Sequence, residues 1–340
     1  VSGIIYALIR LYRRFFEMFI PDDKRYDKMI YNRCGKSGLK LSALSLGFWQ
    51  NFSLKNNFEN MERMVHTAFN SGITHFDLAN NYGNPYNGSA EENFGRILDC
   101  GMREFRDEMC ISTKAGYDKN GSRKYLTASL DQSLKRMGLE YVDIFYHHVR
   151  DPETPLEETA LALDNTVRQG KALYVGISNY NRADTAEMLK IFRELRTPFI
   201  INQPSYSILN RWIEDDKLDS LALSEGFGIA VFSPLYQGFL TSKYLKGIPA
   251  DSRVGRGETW LGDQLDDKMI EKLGKLNDIA ASRGQTLSQM ALSWVLHNKA
   301  VTTVLIGASR PEQITENIGC LDRLDFTEAE LAEIDRLAKM

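Results

Sequence analysis

A chain of 340 residues with a formal net charge of −3 and 26% charged residues holds one large domain or two of ordinary size. That balance gives no reason to expect nucleic acid as a partner, which would call for a clustered basic face. The four cysteines, Cys34, Cys100, Cys110 and Cys320, show no CxxC spacing, so we expect no metal site and reduced thiols in a cytoplasmic protein, Cys110 being buried in an apolar strand.

Residues 1–28 read as an amphipathic extension ahead of a body at 29–340. Ile5, Leu8, Ile9, Tyr12, Phe15, Phe16 and Phe19 recur at helical spacing, with Arg10, Arg13, Arg14 and Glu17 between them. The apolar run breaks at Arg10 and has no basic residue ahead of it, so it matches neither a signal peptide nor a membrane span. A helix docked on another subunit of a homo-oligomer is the ordinary reading, and a helix lying on a membrane surface the competing one.

From Tyr31 to Ser42 two short extended runs joined around Gly35 to Gly38 predict a hairpin. Eight strands follow, ending near Gly47, Leu78, Lys114, His148, Ser178, Gln203, Ser233 and Gly307, with amphipathic helices between them. Capping-box patterns at Ser89/Glu92, Thr154/Glu157, Thr286/Gln289 and Thr327/Glu330 mark helix starts. Eight βα units behind a hairpin predict an α/β fold of the (β/α)8 TIM-barrel type rather than an open doubly wound sheet. The absence of GxGxxG after the first strand agrees. The segment from Tyr236 to about Arg283 is too long for a simple loop and predicts an insertion after strand 7, over the barrel mouth, with a helix near Lys268 to Ser282.

The short apolar run Ile73 to Leu78 ends on Asp77 and breaks into Asn80-Asn81-Tyr82-Gly83. A buried Asp there needs a partner, because an unpaired carboxylate out of water costs several kcal/mol. Lys114 closes the next strand and His147-His148 the one after, so three strands aim ionisable groups at the rim where parallel barrels keep their chemistry. A phenol with an ordinary pKa of about 10 is a poor acid. An ammonium beside Tyr82 favours its phenolate, and Asp77 would fix Lys114 in place, with His148 orienting the oxygen that is protonated. Later strand ends suit a nucleotide: Ser178 and Asn179 for a carboxamide, Asn202-Gln203 ending the next strand, Phe232 as a flat ring, and Gly307-Ala-Ser309-Arg310-Pro311 as a turn into a helix N-terminus fit for a phosphate.

The series Phe76-Asp-Leu-Ala-Asn-Asn-Tyr-Gly83, Ser112-Thr-Lys-Ala-Gly116, Val142-Asp-Ile-Phe-Tyr-His-His148, Gly176-Ile-Ser-Asn179, Phe232-Ser-Pro-Leu235 and Gly307-Ala-Ser-Arg-Pro-Glu-Gln313 resembles the aldo-keto reductase superfamily. Ser89-Ala-Glu-Glu-Asn-Phe-Gly95, Gln203-Pro-Ser-Tyr-Ser207 and Gly247-Ile-Pro-Ala-Asp-Ser-Arg253 are similar to its bacterial L-glyceraldehyde 3-phosphate reductases, kin of the potassium-channel β subunits. The resemblance spans about residues 29 to 340. It implies NADPH-dependent reduction of small aldehydes, L-glyceraldehyde 3-phosphate or methylglyoxal among them, by a catalytic tetrad of Asp77, Tyr82, Lys114 and His148 with Tyr82 as general acid. Trp49, Tyr82 and His148 would meet the substrate. Ser178, Asn179 and Gln203 would hold the nicotinamide carboxamide and Phe232 would stack on its ring. Ser233, Leu235, Gly238 and Lys243 would line the pyrophosphate. Arg253, Gly307, Ser309, Arg310, Gln313, Glu316 and Asn317 would surround the adenosine end, with Arg310 on a 2′-phosphate. The channel relatives imply the alternative of a cofactor-binding regulatory subunit with little turnover. Where the near relatives carry Arg directly after the histidine, this chain has Val149, with Arg150 one place on. The segments after Gly116 and after Arg253 are also shorter than in those relatives.

Overall fold

Along Cys110–Ala115 the side chains alternate: Cys110, Ser112 and Lys114 share one face, and Ile111, Thr113 and Ala115 the other. All six are buried, as in a strand covered on both sides. The structure, a computed structural model, describes residues 19–245, 247–250, 252, 254–257 and 262–339. The expected helix before Phe19, and Arg253, lie outside them.

The described strands are β1 (Tyr31–Arg33), β2 (Lys40–Ser42), β3 (Leu44–Gly47), β4 (His75–Asp77), β5 (Cys110–Ala115), β6 (Val142–His147), β7 (Ala172–Ser178), β8 (Phe199–Gln203), β9 (Gly228–Val231) and β10 (Val301–Ile306). The first two form the antiparallel hairpin, and β3 to β10 close into a parallel eight-stranded barrel in the order β10-β3-β4-β5-β6-β7-β8-β9. The fold is therefore the (β/α)8 barrel that the pattern predicts. Leu44, Leu46, Phe76, Ile111, Phe145, Val175, Ile177, Val304 and Ile306 face outward into the large core shared with the helices. Cys110, Ile144, Tyr146, Ile201 and Ala230 face inward, where Cys34, Leu39 and Leu41 of the hairpin cluster with them and plug the bottom. The Cys34 thiol donates to the Ile200 carbonyl at 3.2 Å.

Two of the four expected capping boxes form. Thr286 with Gln289 and Thr327 with Glu330 exchange both reciprocal bonds. Ser89 lies inside its helix (Ser89–Ile97) and donates to the Gly83 carbonyl instead, with Gly88 as the cap. Thr154 precedes its helix (Leu156–Arg168) and gives its hydroxyl to Asp151 at 2.6 Å, leaving Pro155 at the cap.

After β9 the chain makes short turns at Tyr236–Gly238, Ser242–Tyr244 and Gly262–Gln264, and then the expected helix, which runs Asp267–Ser282 from an Asp266 cap. That helix packs on Leu287–His297 and Glu328–Ala338 and so belongs to the outer layer. At the other end Phe19 stacks on His66 at 4.0 Å, and Arg25 pairs with Glu108 at 2.6 Å, which straps the chain to the barrel ahead of the hairpin. Among the described residues no helix is long and apolar enough to cross a membrane.

Candidate active site

The inward parity of β4 and β5 sets the centre of the site. Asp77 and Lys114 both point into the barrel at its C-terminal end and are almost wholly buried, with side chains 2% and 0% exposed. The Lys114 ammonium donates to Asp77 Oδ2 at 2.5 Å and to the Leu78 carbonyl at 2.7 Å. Asp77 Oδ1 accepts from Ser112 Oγ at 2.8 Å and from Gln203 Nε2 at 3.0 Å. Four hydrogen bonds among groups of three strands and one loop thus satisfy a carboxylate and an ammonium out of water, the condition under which a buried pair persists. Burial pulls the Lys114 pKa down, and Asp77 opposes it.

Tyr82 returns over this pair through a turn at Gly83. Gly83 has φ +101°, and a Cβ there would stand 2.2 Å from Ser89 Oγ, so no other residue fits. The Lys114 ammonium meets the Tyr82 ring 5.0 Å from its centroid, while two of its three N–H groups go to Asp77 and Leu78. Burial, Asp77 and Tyr117 all push the phenol well above its ordinary 10. The lowering expected from the ammonium is thus opposed by desolvation and by Asp77, both of which favour the neutral phenol.

His148 follows β6, its backbone N–H on the Ala115 carbonyl at 2.8 Å and its own carbonyl accepting from Asn179 Nδ2 at 3.0 Å. Its ring lies 6.0 Å from that of Tyr82 and 5.0 Å from that of Tyr117. Burial, Lys114 and His147 hold it well below 6.5, so the imidazole is neutral, and its buried Nδ1 has no partner. His147 is turned elsewhere, bonded to Tyr180 Oη through Nδ1 at 2.6 Å.

Around this centre the loops hold non-glycine residues in the left-handed region: Asn51 after β3, Lys119 after β5, Asn179 after β7, and Ser233, Tyr236 and Gln237 after β9. Such conformations cost about 1–3 kcal/mol each and concentrate at ligand sites. Ser178 Oγ donates to the Gln203 carbonyl at 2.8 Å and Asn179 Nδ2 reaches Ser178 Oγ at 3.1 Å, which ties the ends of β7 and β8. Phe232, Ser233, Leu235 and Gly238 are half-buried in the loop after β9, and Lys243 is exposed on the following turn. Gly307 leaves open space where a Cβ would stand. Ser309 donates to Gln313 through backbone and hydroxyl, Arg310 is the exposed cap of the helix Pro311–Ile318, and Glu316 and Asn317 lie along that helix. Arg310 is 3.8 Å from Glu312, both well exposed. Arg150 donates to the Thr154 carbonyl at 3.1 Å and stands 3.8 Å from Asp184.

Several participants escape a reading of motifs. Tyr117, 60% exposed beside His148, shares the rim with the exposed rings of Trp49 and Tyr86. Asn51 and Asn60 pin the turn after β10 by donating to the carbonyls of Ala308 and Ser309, each at 2.9 Å. Ser112 and His75 share the inward face with Lys114 and Asp77, a parity visible in the strands themselves.

The aldo/keto reductase family model matches residues 43–339. An L-glyceraldehyde 3-phosphate reductase of Escherichia coli K12 is 53% identical over 330 residues, covering 94% of this chain and 95% of the relative. A probable voltage-gated potassium channel β subunit of rice is 34% identical over 316 residues, covering 90% and 95%. Among solved structures, a thermostable aldo-keto reductase in complex with the inhibitor epalrestat superposes with a TM-score of 0.72 at 28% identity, covering 91% of this chain and all of that one. With a strand-end Asp, Tyr, Lys and His gathered at the mouth of a closed parallel barrel, and with sequence likeness along nearly its whole length, this chain belongs to the aldo/keto reductase family and is an oxidoreductase.

Proposed function

We propose that this chain reduces small aldehydes to alcohols with NADPH, using Tyr82 as the proton donor. The observation that carries the reading is the neutral Tyr82 phenol set over the buried Lys114–Asp77 pair, with the neutral His148 ring beside it. A carbonyl oxygen that gains electron density needs a proton from a group that still holds one at neutral pH, and Tyr82 does. Lys114 offers positive charge next to the phenol as it becomes phenolate, and Asp77 keeps that ammonium from leaving. The His148 ring, beside that of Tyr82, is suited to orient the carbonyl oxygen.

The residues fit a nicotinamide dinucleotide. Strained backbone after β7 and β9, open space at Gly307, and a helix N-terminus flanked by an exposed Arg310 support an extended, anionic ligand here. When bound, the cofactor supplies the hydride. Ser178, Asn179 and Gln203 would hold its carboxamide end, Gln203 Nε2 being engaged on Asp77. Arg310 would take the 2′-phosphate.

For the substrate, the name of the bacterial relative favours a phosphorylated triose, with methylglyoxal a second small aldehyde to compare. Arg150 has contacts with Thr154 and Asp184, with which a substrate phosphate would compete for its charge. The test is NADPH oxidation with L-glyceraldehyde 3-phosphate, methylglyoxal and an uncharged aromatic aldehyde, compared by kcat/KM. Turnover on the small aldehydes is the expected result. Tight NADPH binding without turnover on any of a broad panel would overturn the reading in favour of a regulatory subunit.

A further inference from the structure

The barrel interior holds a run of polar side chains in contact that begins far from the rim. Thr303 Oγ1 lies 2.5 Å from Ser45 Oγ, Ser45 Oγ lies 2.8 Å from His75 Nδ1, and His75 Nε2 lies 2.9 Å from Ser112 Oγ. Ser112 Oγ in turn lies 2.8 Å from Asp77 Oδ1. The run crosses β10, β3, β4 and β5, which are neighbours in the barrel, and every member is 0–1% exposed. Water therefore does not replace any link, and a mismatched pair would leave a buried polar atom unsatisfied.

Chemistry orders this run. Asp77 accepts only, so the single Ser112 proton goes to the carboxylate; the Phe76 carbonyl, at 3.5 Å, is too distant to compete. Ser112 Oγ must then accept from His75, which puts the ring proton on Nε2. Burial lowers the His75 pKa to about 4, so at neutral pH the ring carries one proton only, and Nδ1 is an acceptor. Ser45 donates to Nδ1, and Thr303 donates to Ser45. The opposite tautomer would turn the Ser112 proton towards His75 and set an oxygen lone pair against the carboxylate.

We infer that His75, as the Nε2–H tautomer, is a positioning residue for the reaction: it completes a one-way donor chain, Thr303 to Ser45 to His75 to Ser112 to Asp77, that fixes Asp77 Oδ1 and thereby turns Oδ2 onto Lys114. The role in turnover rests on the proposed function above; the tautomer does not. With Oδ1 held by Ser112 and Gln203, the carboxylate cannot rotate away from the ammonium that faces Tyr82. Fully satisfied buried networks of this kind select one arrangement of the groups they join.

Two measurements test the inference. In wild-type protein labelled with 15N-histidine, five side chains contribute, and the signal lost in His75→Gln identifies His75. The expected spectrum has a protonated Nε2 and a bare Nδ1, without titration between about pH 5.5 and about pH 8. A protonated Nδ1, or a midpoint near the ordinary histidine value, overturns the inference whether or not the protein turns over any aldehyde. In kinetics, His75→Leu removes the donor, whereas His75→Gln returns an N–H near the Nε2 position. We expect kcat to fall about tenfold in His75→Leu, with NADPH affinity unchanged, and to recover most of that loss in His75→Gln. Equal kcat in the two variants, or a loss carried by NADPH affinity, refutes a positioning role. If His75→Leu does not fold, the wild-type tautomer still decides, and Ser45→Ala gives a second reading: the proton should stay on Nε2, because Ser112 and Asp77 dictate it, and its transfer to Nδ1 would refute the ordering.

Discussion

Methionine in place of Lys114 keeps an unbranched side chain of similar reach and removes only the ammonium. In the folded protein that ammonium is fully buried, 2.5 Å from Asp77 Oδ2 and 2.7 Å from the Leu78 carbonyl. Taking one partner from a buried pair leaves an uncompensated charge and costs about 3–5 kcal/mol. Ser112 and Gln203 still hold Oδ1, so the lower half of that range is expected, about 3 kcal/mol. Asp77→Asn alone is also destabilising, because burial then acts on Lys114 without the opposing carboxylate. The double variant Asp77→Asn/Lys114→Met buries neutral groups only and should be at least as stable as Lys114→Met, so the coupling in a double-mutant cycle is at least as large as the loss in Asp77→Asn alone. Thermal and urea unfolding of the four proteins without cofactor measure it. A Lys114→Met protein as stable as wild type, or a double variant whose loss is the sum of the singles, would refute the account of the pair.

At the adenosine end, Arg310→Ala should weaken NADPH by roughly tenfold to a hundredfold and leave NADH unchanged, since a charge-assisted bond contributes about 1.5–3 kcal/mol; fluorescence titration of both cofactors reads this, and equal wild-type affinities for the two would remove the 2′-phosphate site. Acid stability carries its own sign. His75 and His147 have folded pKa values lowered to about 4 by burial, so the unfolded chain binds protons first as pH falls from about 6.5, and stability present above that value is lost towards pH 4. Each should cost about 2 kcal/mol between about pH 7 and about pH 5, and His75→Gln should flatten the decline of the melting temperature with acid.

Much of this molecule is legible in the chain because its signals are local. Strands end where apolar runs meet Asp77, Lys114, His148 and Gln203, and the caps at Thr286 and Thr327 form because each partner lies one helical turn away. The patterns at Ser89 and Thr154 look the same in sequence, yet the fold offers their hydroxyls better acceptors in Gly83 and Asp151. Tyr82 shows the same limit in energy: proximity to a lysine argues for phenolate, whereas the opposing desolvation depends on packing that is invisible in the chain. His75 was equally hidden. A lone histidine in a strand reads as a packed side chain, and its partners Ser45 and Thr303 stand far from each other in sequence and meet only when the barrel closes.

The role of Tyr82 itself rests on the one proton that must reach the carbonyl oxygen. Tyr82→Phe removes the Oη–H and leaves the ring over Lys114, so kcat for the preferred aldehyde and the NADPH dissociation constant, measured on the same preparation, separate proton donation from binding. General acid catalysis contributes about 10²–10⁴-fold, so kcat should fall at least about a hundredfold while the dissociation constant stays within about twofold of wild type. A Tyr82→Phe protein that reduces aldehydes within a few-fold of wild type would show that the proton comes from another group, with His148 the next to examine.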